Sequence, residues 1–450
     1  MKIGIGIKFG KESSSLPNKE PNLEIGSVTN NREEQFFCSN NILSLFNESK
    51  ITPSENIIDL LNLGIAVYTT DQLVSRNKYG YYHWNRYFEL CLPVFDLAKW
   101  QAIGENLSET LSFLSGDRWI ITFRQRETYY KDREKEDTDI KKINKVSLFS
   151  GGLDSLIGAV DLLHEQEAVA LVGHHKKGGS EKEIQSQLIQ DLEKSFKTNI
   201  DHFLFYVQPE FEQQKHFLAG EDTQRARSFL FLTLGLAVAN SYGYEVPLIV
   251  PENGLISLNI PLTPTRLGTF STKTTHPAFL TKFMEVLRLL GIKNEIINPY
   301  QFKTKGQMLV DCQVHSRDLI NELSLKSISC SKPGYYKRWR RKGTPDVKED
   351  HCGHCVPCII RRAAMSKAGL DKFEGDYVYD IHTFDKTTNK GKGADLHAFK
   401  IGIEKYLNQN RLTVFELLKS GALPEKDILN YLEVARNGYE EVNTFIKRIQ

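Results

Sequence analysis

No stretch of this sequence is apolar for long enough to cross a bilayer. The longest apolar run, Phe229 to Ala239, covers roughly half of the ~20 residues a spanning helix needs, and reads as a buried helix. The opening residues, Met1-Lys2-Ile3-Gly4 with Lys8 and Lys11 close behind, lack the apolar centre of a secretory leader. Charge of one sign is missing as well. Lys and Arg number 58 against 56 Asp and Glu, a net charge of +2, so no global field draws the chain to nucleic acid or an anionic membrane. Local basic runs leave nucleic-acid contact open. Cysteine is sparse, with seven in 450 residues. An odd count, three of them within seven positions, makes a poor disulfide framework and suits a metal site in a reducing compartment. The expected location is the cytoplasm. A GxxxxGK[ST] loop is absent, so γ-phosphate transfer is not the implied chemistry. We find no nucleophilic triad, internal repeat or low-complexity tract.

The length suggests two or three domains. Residues 1–140 read as an N-terminal accessory block of α+β type. Residues 10–35 are loop-like, Asn56 to Ala66 is apolar at helical spacing, Tyr81 to Phe88 is an aromatic cluster, and Trp119 to Phe123 is a strand. Residues 145–370 alternate differently. Strands at Val146–Phe149, Ala168–Val172, Phe203–Val207 and Val246–Val250 alternate with helices at Asp154–Leu163, Glu181–Phe196, Arg225–Tyr242 and Pro277–Gly291. This pattern implies βαβ units and a parallel sheet covered on both faces, an α/β, Rossmann-like core. Residues 371–450 read as a helical extension, with helices at Ala398–Leu407, Val414–Ser420 and Glu425–Ile449.

The sharpest local signal is Ser150-Gly151-Gly152-Leu153-Asp154-Ser155, between the first of those strands and its helix. Backbone N–H groups in a glycine turn converge on phosphate oxygens, and the helix N-terminus adds donors and a favourable dipole. Ser150 and Ser155 can donate hydroxyl hydrogen bonds. Asp154 repels phosphate, which leaves it helix capping or holding Mg²⁺. The hexapeptide resembles the SGGxDS signature of PP-loop ATP pyrophosphatases. That resemblance implies an adenine nucleotide alpha hydrolase-like fold, ATP cleaved between its α- and β-phosphates, and AMP passed to a substrate oxygen. In-line attack at phosphorus depends on positioned charge and needs no covalent nucleophile.

Cys352, Cys355 and Cys358 have C-x2-C-x2-C spacing, and Cys330 precedes them by about twenty residues. Four thiolates satisfy tetrahedral Zn²⁺ in a closed, structural site. His351 and His354 are competing ligands, and an iron–sulfur cluster is the alternative group.

Together these motifs resemble the QueC family, the 7-cyano-7-deazaguanine synthases. The matching stretches run in order: the hexapeptide, Arg225-x-Arg227-Ser228, Lys303-Thr304-Lys305-Gly306 after Pro299, Ser329-Cys330, and Cys352-Gly353-x-Cys355-x-x-Cys358-x-x-Arg361. The resemblance covers residues 145–370. It implies that ATP adenylates a carboxylate of 7-carboxy-7-deazaguanine type, that ammonia then forms an amide, and that a second activation gives a nitrile. It places ATP on Ser150 to Ser155, puts Arg227 and Lys305 near phosphate or the acyl-adenylate, and gives Zn²⁺ to Cys330, Cys352, Cys355 and Cys358.

The chain departs from that family in length, in Gly173-His174-His175-Lys176-Lys177-Gly178-Gly179 after the second strand, around Ser271 to Pro277, and in the basic insert Tyr335 to Lys342. Long QueC-like proteins with N-terminal extensions, the QatC type of the Qat system, occur in bacterial anti-phage operons. That resemblance implies a defence role beside other operon proteins, and a protein amine in place of ammonia. The competing readings are a tRNA-modifying PP-loop enzyme and a non-catalytic nucleotide- or deazapurine-binding scaffold. Among the other polar residues, His174 and His175 end a strand where ligands collect, Glu252 and Asn253 are candidates for a substrate edge, and His276 and His315 have no evident partner.

Overall fold

The computed structural model describes residues 2–8, 16, 23–26, 38–126, 142–209, 220–221, 225–260, 273–331, 351–375, 377–379, 381 and 391–449. The basic insert Tyr335 to Lys342, most of the loop at 10–35, and Ser271 lie outside them.

The chain opens with strands β1 (Lys2–Lys8), β2 (Leu23–Gly26) and β3 (Cys38–Asn40), then helices α1 (Ile42–Glu48), α2 (Glu55–Leu73) and α3 (Arg76–Tyr79). There follow β4 (Tyr87–Val94), α4 (Leu97–Ala102), α5 (Gly104–Ser115) and β5 (Arg118–Gln125). Four of these strands form a sheet in the order β2-β1-β4-β5, and every pairing in it is parallel. The α+β expectation for the N-terminal block is therefore corrected: strands separated by helices have stacked in one direction, which is α/β construction. The aromatic cluster also divides. Phe88 is buried on β4, while Tyr81, Tyr82 and Trp84 stand exposed in the turn before it.

The second sheet is built from β6 (Lys145–Leu148), α6 (Leu153–His164), β7 (Val169–His175), α7 (Glu181–Phe196), β8 (Asp201–Pro209), α8 (Arg227–Tyr242), β9 (Leu248–Ile249), α9 (Gly254–Leu258), α10 (Pro277–Leu289) and β10 (Ile296–Ile297). Its order is β10-β9-β6-β7-β8-β3. The first five strands are parallel, as the alternating pattern predicts. The sixth is antiparallel and comes from the N-terminal block, with Cys38 opposite Pro209 and Asn40 opposite Val207. Asn41 secures that edge, its side-chain amide donating to the Leu204 carbonyl and its oxygen accepting from Tyr206 N–H.

Packing thus crosses the boundary read from composition at residues 140–145. Ile3, Phe88 and Leu90 belong to one apolar core with Val146, Phe203 and Phe229. Helix α2, buried along almost all its length, lies against α8 between the two sheets. The remaining helices are α11 (Lys305–Lys326), α12 (Val356–Lys367), α13 (Ala394–Ile403), α14 (Val414–Leu418) and α15 (Ile428–Arg448). Helices α12, α13 and α15 share a core with Leu255 and Leu258 of α9, so the C-terminal extension is docked on the second sheet's domain. The chain runs β6-β7-β8 outward on one side of β6, then returns to place β9 and β10 on the other. The C-terminal ends of β6 and β9 flank that reversal, where open α/β sheets bind ligands.

Candidate active site

Two loops leave the sheet side by side. Ser147 pairs with Ile249, so Ser150 and Glu252 each lie three residues beyond a matched pair. Gly151 has φ +80°, a value that favours glycine, and the turn it makes leads through Gly152 into the start of α6. The two serines brace the turn from inside. Ser155 Oγ donates to the Gly152 carbonyl at 3.0 Å and accepts from Ser150 N–H at 3.2 Å. Ser150 Oγ lies 3.2 Å from Ser155 Oγ and accepts from Gly152 N–H at 3.3 Å.

Asp154, in the first turn of α6, makes no capping bond; the capping expectation is corrected. Its side chain turns to two other elements. Lys305 Nζ donates to Oδ1 at 2.5 Å, and Asn253 donates to Oδ2 from its amide at 2.7 Å. Lys305 is the first residue of α11, after an N-cap formed by Thr304 and Gln307. A cation there opposes the helix dipole, and Asp154 compensates for it. Glu441 of α15 accepts from Thr304 Oγ1 at 2.6 Å and Gly306 N–H at 3.0 Å, backing the Lys305 turn from behind.

Glu252 completes the group. The Asn253 amide that donates to Asp154 also lies 3.4 Å from Glu252 Oε1. Burial first, then the charge of Asp154, pushes the Glu252 carboxyl well above the usual range. Burial acts on Asp154 too, but Lys305 and hydrogen bonds from Glu252, Lys305 and Asn253 outweigh it and hold its pKa down. The arrangement is two acids with oppositely shifted pKa values beside one lysine at the mouth of the sheet.

Behind the turn, the four cysteines come together. The sulfurs of Cys330, Cys352, Cys355 and Cys358 all lie within 4.8 Å of one another, and Cys352 Sγ to Cys358 Sγ is 3.8 Å. With Zn–S near 2.3 Å, the edge of a tetrahedral site is about 3.8 Å, so the donor set fits Zn²⁺. Cys355 N–H points at Cys352 Sγ, 3.4 Å away, and Gly353 supplies the left-handed turn between them at φ +83°. A Cβ at Gly353 would press into the Tyr379 carbonyl and Tyr377. His351 is not in the group: its Nε2 accepts from Ser329 N–H at 3.0 Å. His354 bonds the Cys352 sulfur from outside the four.

A short strap joins this cluster to the glycine turn. Ile328 N–H donates to the Gly151 carbonyl at 2.9 Å, and Ser329 Oγ accepts from Leu153 N–H at 3.2 Å. Cys330 is the next residue. Arg361, fully buried on α12, holds the strap's other end through Ser327 Oγ at 2.9 Å and the Ser324 carbonyl at 2.7 Å, with Glu374 as counter-ion.

No family model matches the chain. The chain is similar to a 7-cyano-7-deazaguanine synthase. Over 250 residues it is 26% identical to the protein of that description from Saccharolobus solfataricus, covering 51% of this chain and 47% of the relative. The chain thus spans about half the length of the synthase it matches.

Of the residues singled out in the sequence, the structure gathers Ser150, Gly151, Gly152, Leu153, Asp154, Ser155 and Lys305 at one place, and the four cysteines at another a strap away. Arg227 sits elsewhere on the rim. It lies over the Phe231 ring at 4.9 Å, beside buried His174, whose pKa is lowered first by burial and then by Arg227. Arg225 turns back to the N-terminal block and donates to the Ser115 carbonyl at 3.1 Å. His276 and His315 prove to have partners. His276 accepts from Ala278 N–H at 3.1 Å, and His315 lies 3.1 Å from Asp161. Sequence reasoning missed Ser329 as a loop anchor; its place beside Cys330 was the available signal.

Proposed function

We propose that this chain is an ATP-dependent PP-loop enzyme that adenylates a carboxylate and passes the acyl group to an amine. The observation that carries it is the Asp154–Lys305–Glu252–Asn253 group, set at the reversal of strand order and beside a glycine turn at a helix N-terminus. The N–H groups of the turn would hold the β- and γ-phosphates, whose oxygens would take the place of the Ser150, Ser155 and Ser329 hydroxyls that accept from Gly152, Ser150 and Leu153 N–H. Lys305, freed from Asp154 by the incoming anion, would meet the charge that grows on the α-phosphate and the leaving pyrophosphate. Asp154 and Glu252 together supply the two carboxylates with which Mg²⁺ commonly binds a nucleotide's phosphates, and Glu252 would release its proton to admit the ion. The substrate carboxylate attacks the α-phosphorus and pyrophosphate leaves. The amine then attacks the acyl carbon, AMP leaves with one former carboxylate oxygen, and the amine's proton goes to solvent or a base.

Similarity to the synthase supports a substrate of 7-carboxy-7-deazaguanine type. Zn²⁺ on Cys330, Cys352, Cys355 and Cys358 would be structural, fixing the strap that anchors the turn. We assign the acceptor role to an amine on a partner protein, for which the N-terminal layer and C-terminal helices offer surface. The likeness to long QueC-like proteins of anti-phage operons suggests that such partners belong to a defence system. No described helix is long and apolar enough to cross a membrane.

The test is release of AMP and pyrophosphate from ATP by metal-loaded protein, with and without 7-carboxy-7-deazaguanine. Release that depends on the deazapurine supports the reading. Folded protein that binds ATP but releases neither product with any deazapurine carboxylate would leave the scaffold reading in its place.

A further inference from the structure

Helices α6 and α11 pack side by side, and their contacts repeat. Asp154 of α6 meets Lys305 of α11; seven residues further along each helix, Asp161 meets Cys312. Two helical turns carry a residue about 10 Å along the axis and return it to the same face. His315, three residues beyond Cys312 and so on the same side of α11, adds its ring to the second contact. One Asp161 carboxylate oxygen, Cys312 Sγ and one His315 ring nitrogen lie within 4.8 Å of one another.

We propose that Asp161, Cys312 and His315 form a second transition-metal site, of the kind that takes Zn²⁺ with an open fourth position. Three donors of different type converge there, and two of them, Asp161 and His315, are oriented by a neighbour. Asp161 Oδ2 accepts from the Tyr300 hydroxyl at 2.6 Å, which leaves Oδ1 facing the centre. His315 Nδ1 lies 2.9 Å from Ser316 Oγ; the tautomer that donates there presents the lone pair of Nε2. Oδ1 and Nε2 are 3.1 Å apart but off the alignment of a hydrogen bond. Two donors each about 2.0–2.1 Å from a tetrahedral ion would be separated by about 3.3 Å, close to that spacing. Cys312 is buried on α11 and carries the soft donor. The His164 ring, stacked on His315 with centroids 4.2 Å apart, covers its outer face. Binding releases the thiol proton to solvent and leaves the fourth position to water. An ion there would tie α11 to α6 on the seam that also carries Lys305 and Asp154. The site shares no residue with the four-cysteine cluster, and the proposal stands whether or not the catalytic reading does.

The experiment counts metal. Full-length protein is dialysed against buffered Zn²⁺ in the micromolar range, and bound zinc is measured per chain for wild type, His315→Ala, Asp161→Asn and Cys312→Ser. The expected result is one equivalent fewer in His315→Ala and Asp161→Asn, with circular dichroism unchanged. His315 is exposed and its loss leaves the core intact, so this variant keeps the test valid if Cys312→Ser misfolds. Co²⁺ added to protein already holding zinc in the cysteine cluster should give a single-thiolate charge-transfer band that His315→Ala weakens. Equal zinc content in wild type and both His315→Ala and Asp161→Asn would overturn the proposal.

Discussion

Two of the buried charge clusters among the described residues are built differently. In the N-terminal layer, Arg86 is saturated. It donates to Asp117 and Asp71, with nitrogen to oxygen distances of 2.6 and 2.5 Å, and to the Asp71 and Val74 carbonyls. Arg76 adds a second cation on Asp117 at 2.5 Å, and Asp71 also accepts from Ala226 N–H at the start of α8. Burial works against the charge of Arg86, yet Asp117 and Asp71 outweigh it and hold its pKa above the ordinary value. Each charge there has its opposite, and the group pins the N-terminal layer to α8. At the mouth of the second sheet, by contrast, two acids share one lysine, and the acids' pKa values are driven apart. Such crowding is tolerable where a ligand takes up one of the acids, and environments that split a pair of acids are a mark of acid–base or ion-binding work. Burial of charge is therefore a poor sign of function; a pair of acids driven apart is a better one.

If the two clusters differ in this way, substitutions should separate stability from activity. Arg86→Ala leaves Asp71 and Asp117 buried with Arg76 as their shared counter-ion. We expect a loss of about 3–5 kcal/mol in chemical denaturation, and with it most soluble protein. Asp154→Asn should do the reverse, because Glu252 stays beside Lys305 to balance it: an unfolding free energy unchanged within ~1 kcal/mol, and AMP formation reduced by about 10²-fold or more in a steady-state assay. A strongly destabilised Asp154→Asn would make the second cluster structural too and break the comparison.

The strap makes the cysteine cluster a support for the glycine turn. Removing metal with a chelator, or substituting Cys355→Ser, should weaken nucleotide binding while far-ultraviolet circular dichroism keeps the α/β signal, since the apolar cores that carry the two sheets do not include the cluster. Ser329→Ala removes one bond of that strap and should cost about 1 kcal/mol, roughly a fivefold rise in ATP Kd by calorimetry. The smallest effect concerns His276, buried where α14 and α10 meet. Burial first, then Lys273, lowers its pKa to about 3. A base with a depressed folded pKa stays neutral while the unfolded chain takes up protons, so its contribution is full above about pH 6.5 and falls as pH drops towards 3. The acid limb of a stability profile should be shallower in His276→Gln over that window.

Much of this arrangement was legible in the sequence where local signals suffice. Helix α7 begins and ends at the residues its amphipathic pattern and acidic first turn indicate. The glycine turn, Lys305 and the cysteine spacing are motifs, readable one by one. Helix α11 shows no helical period in the sequence because its apolar residues, among them Met308 to Val310, Val314, Leu319 and Leu325, fall on no single face, and its backbone leaves helical geometry at Ser316. Strand β3 is three residues long, and its identity comes only from pairing with β8 far along the chain. The link from Asn253 to Asp154 spans 99 residues and that from Ser329 to Leu153 spans 176, distances over which no periodicity reports. The Asp161–Cys312–His315 group depends on the register of two helices, which only the packing reveals.

The central claim is that a substrate carboxylate attacks the α-phosphorus of ATP at the Asp154–Lys305 site. The direct measurement uses a deazapurine carboxylate labelled with ¹⁸O, ATP and an amine, with the AMP examined by mass spectrometry. The account predicts AMP carrying one ¹⁸O atom and unlabelled pyrophosphate. Unlabelled AMP, or ADP and phosphate as the products, would contradict it.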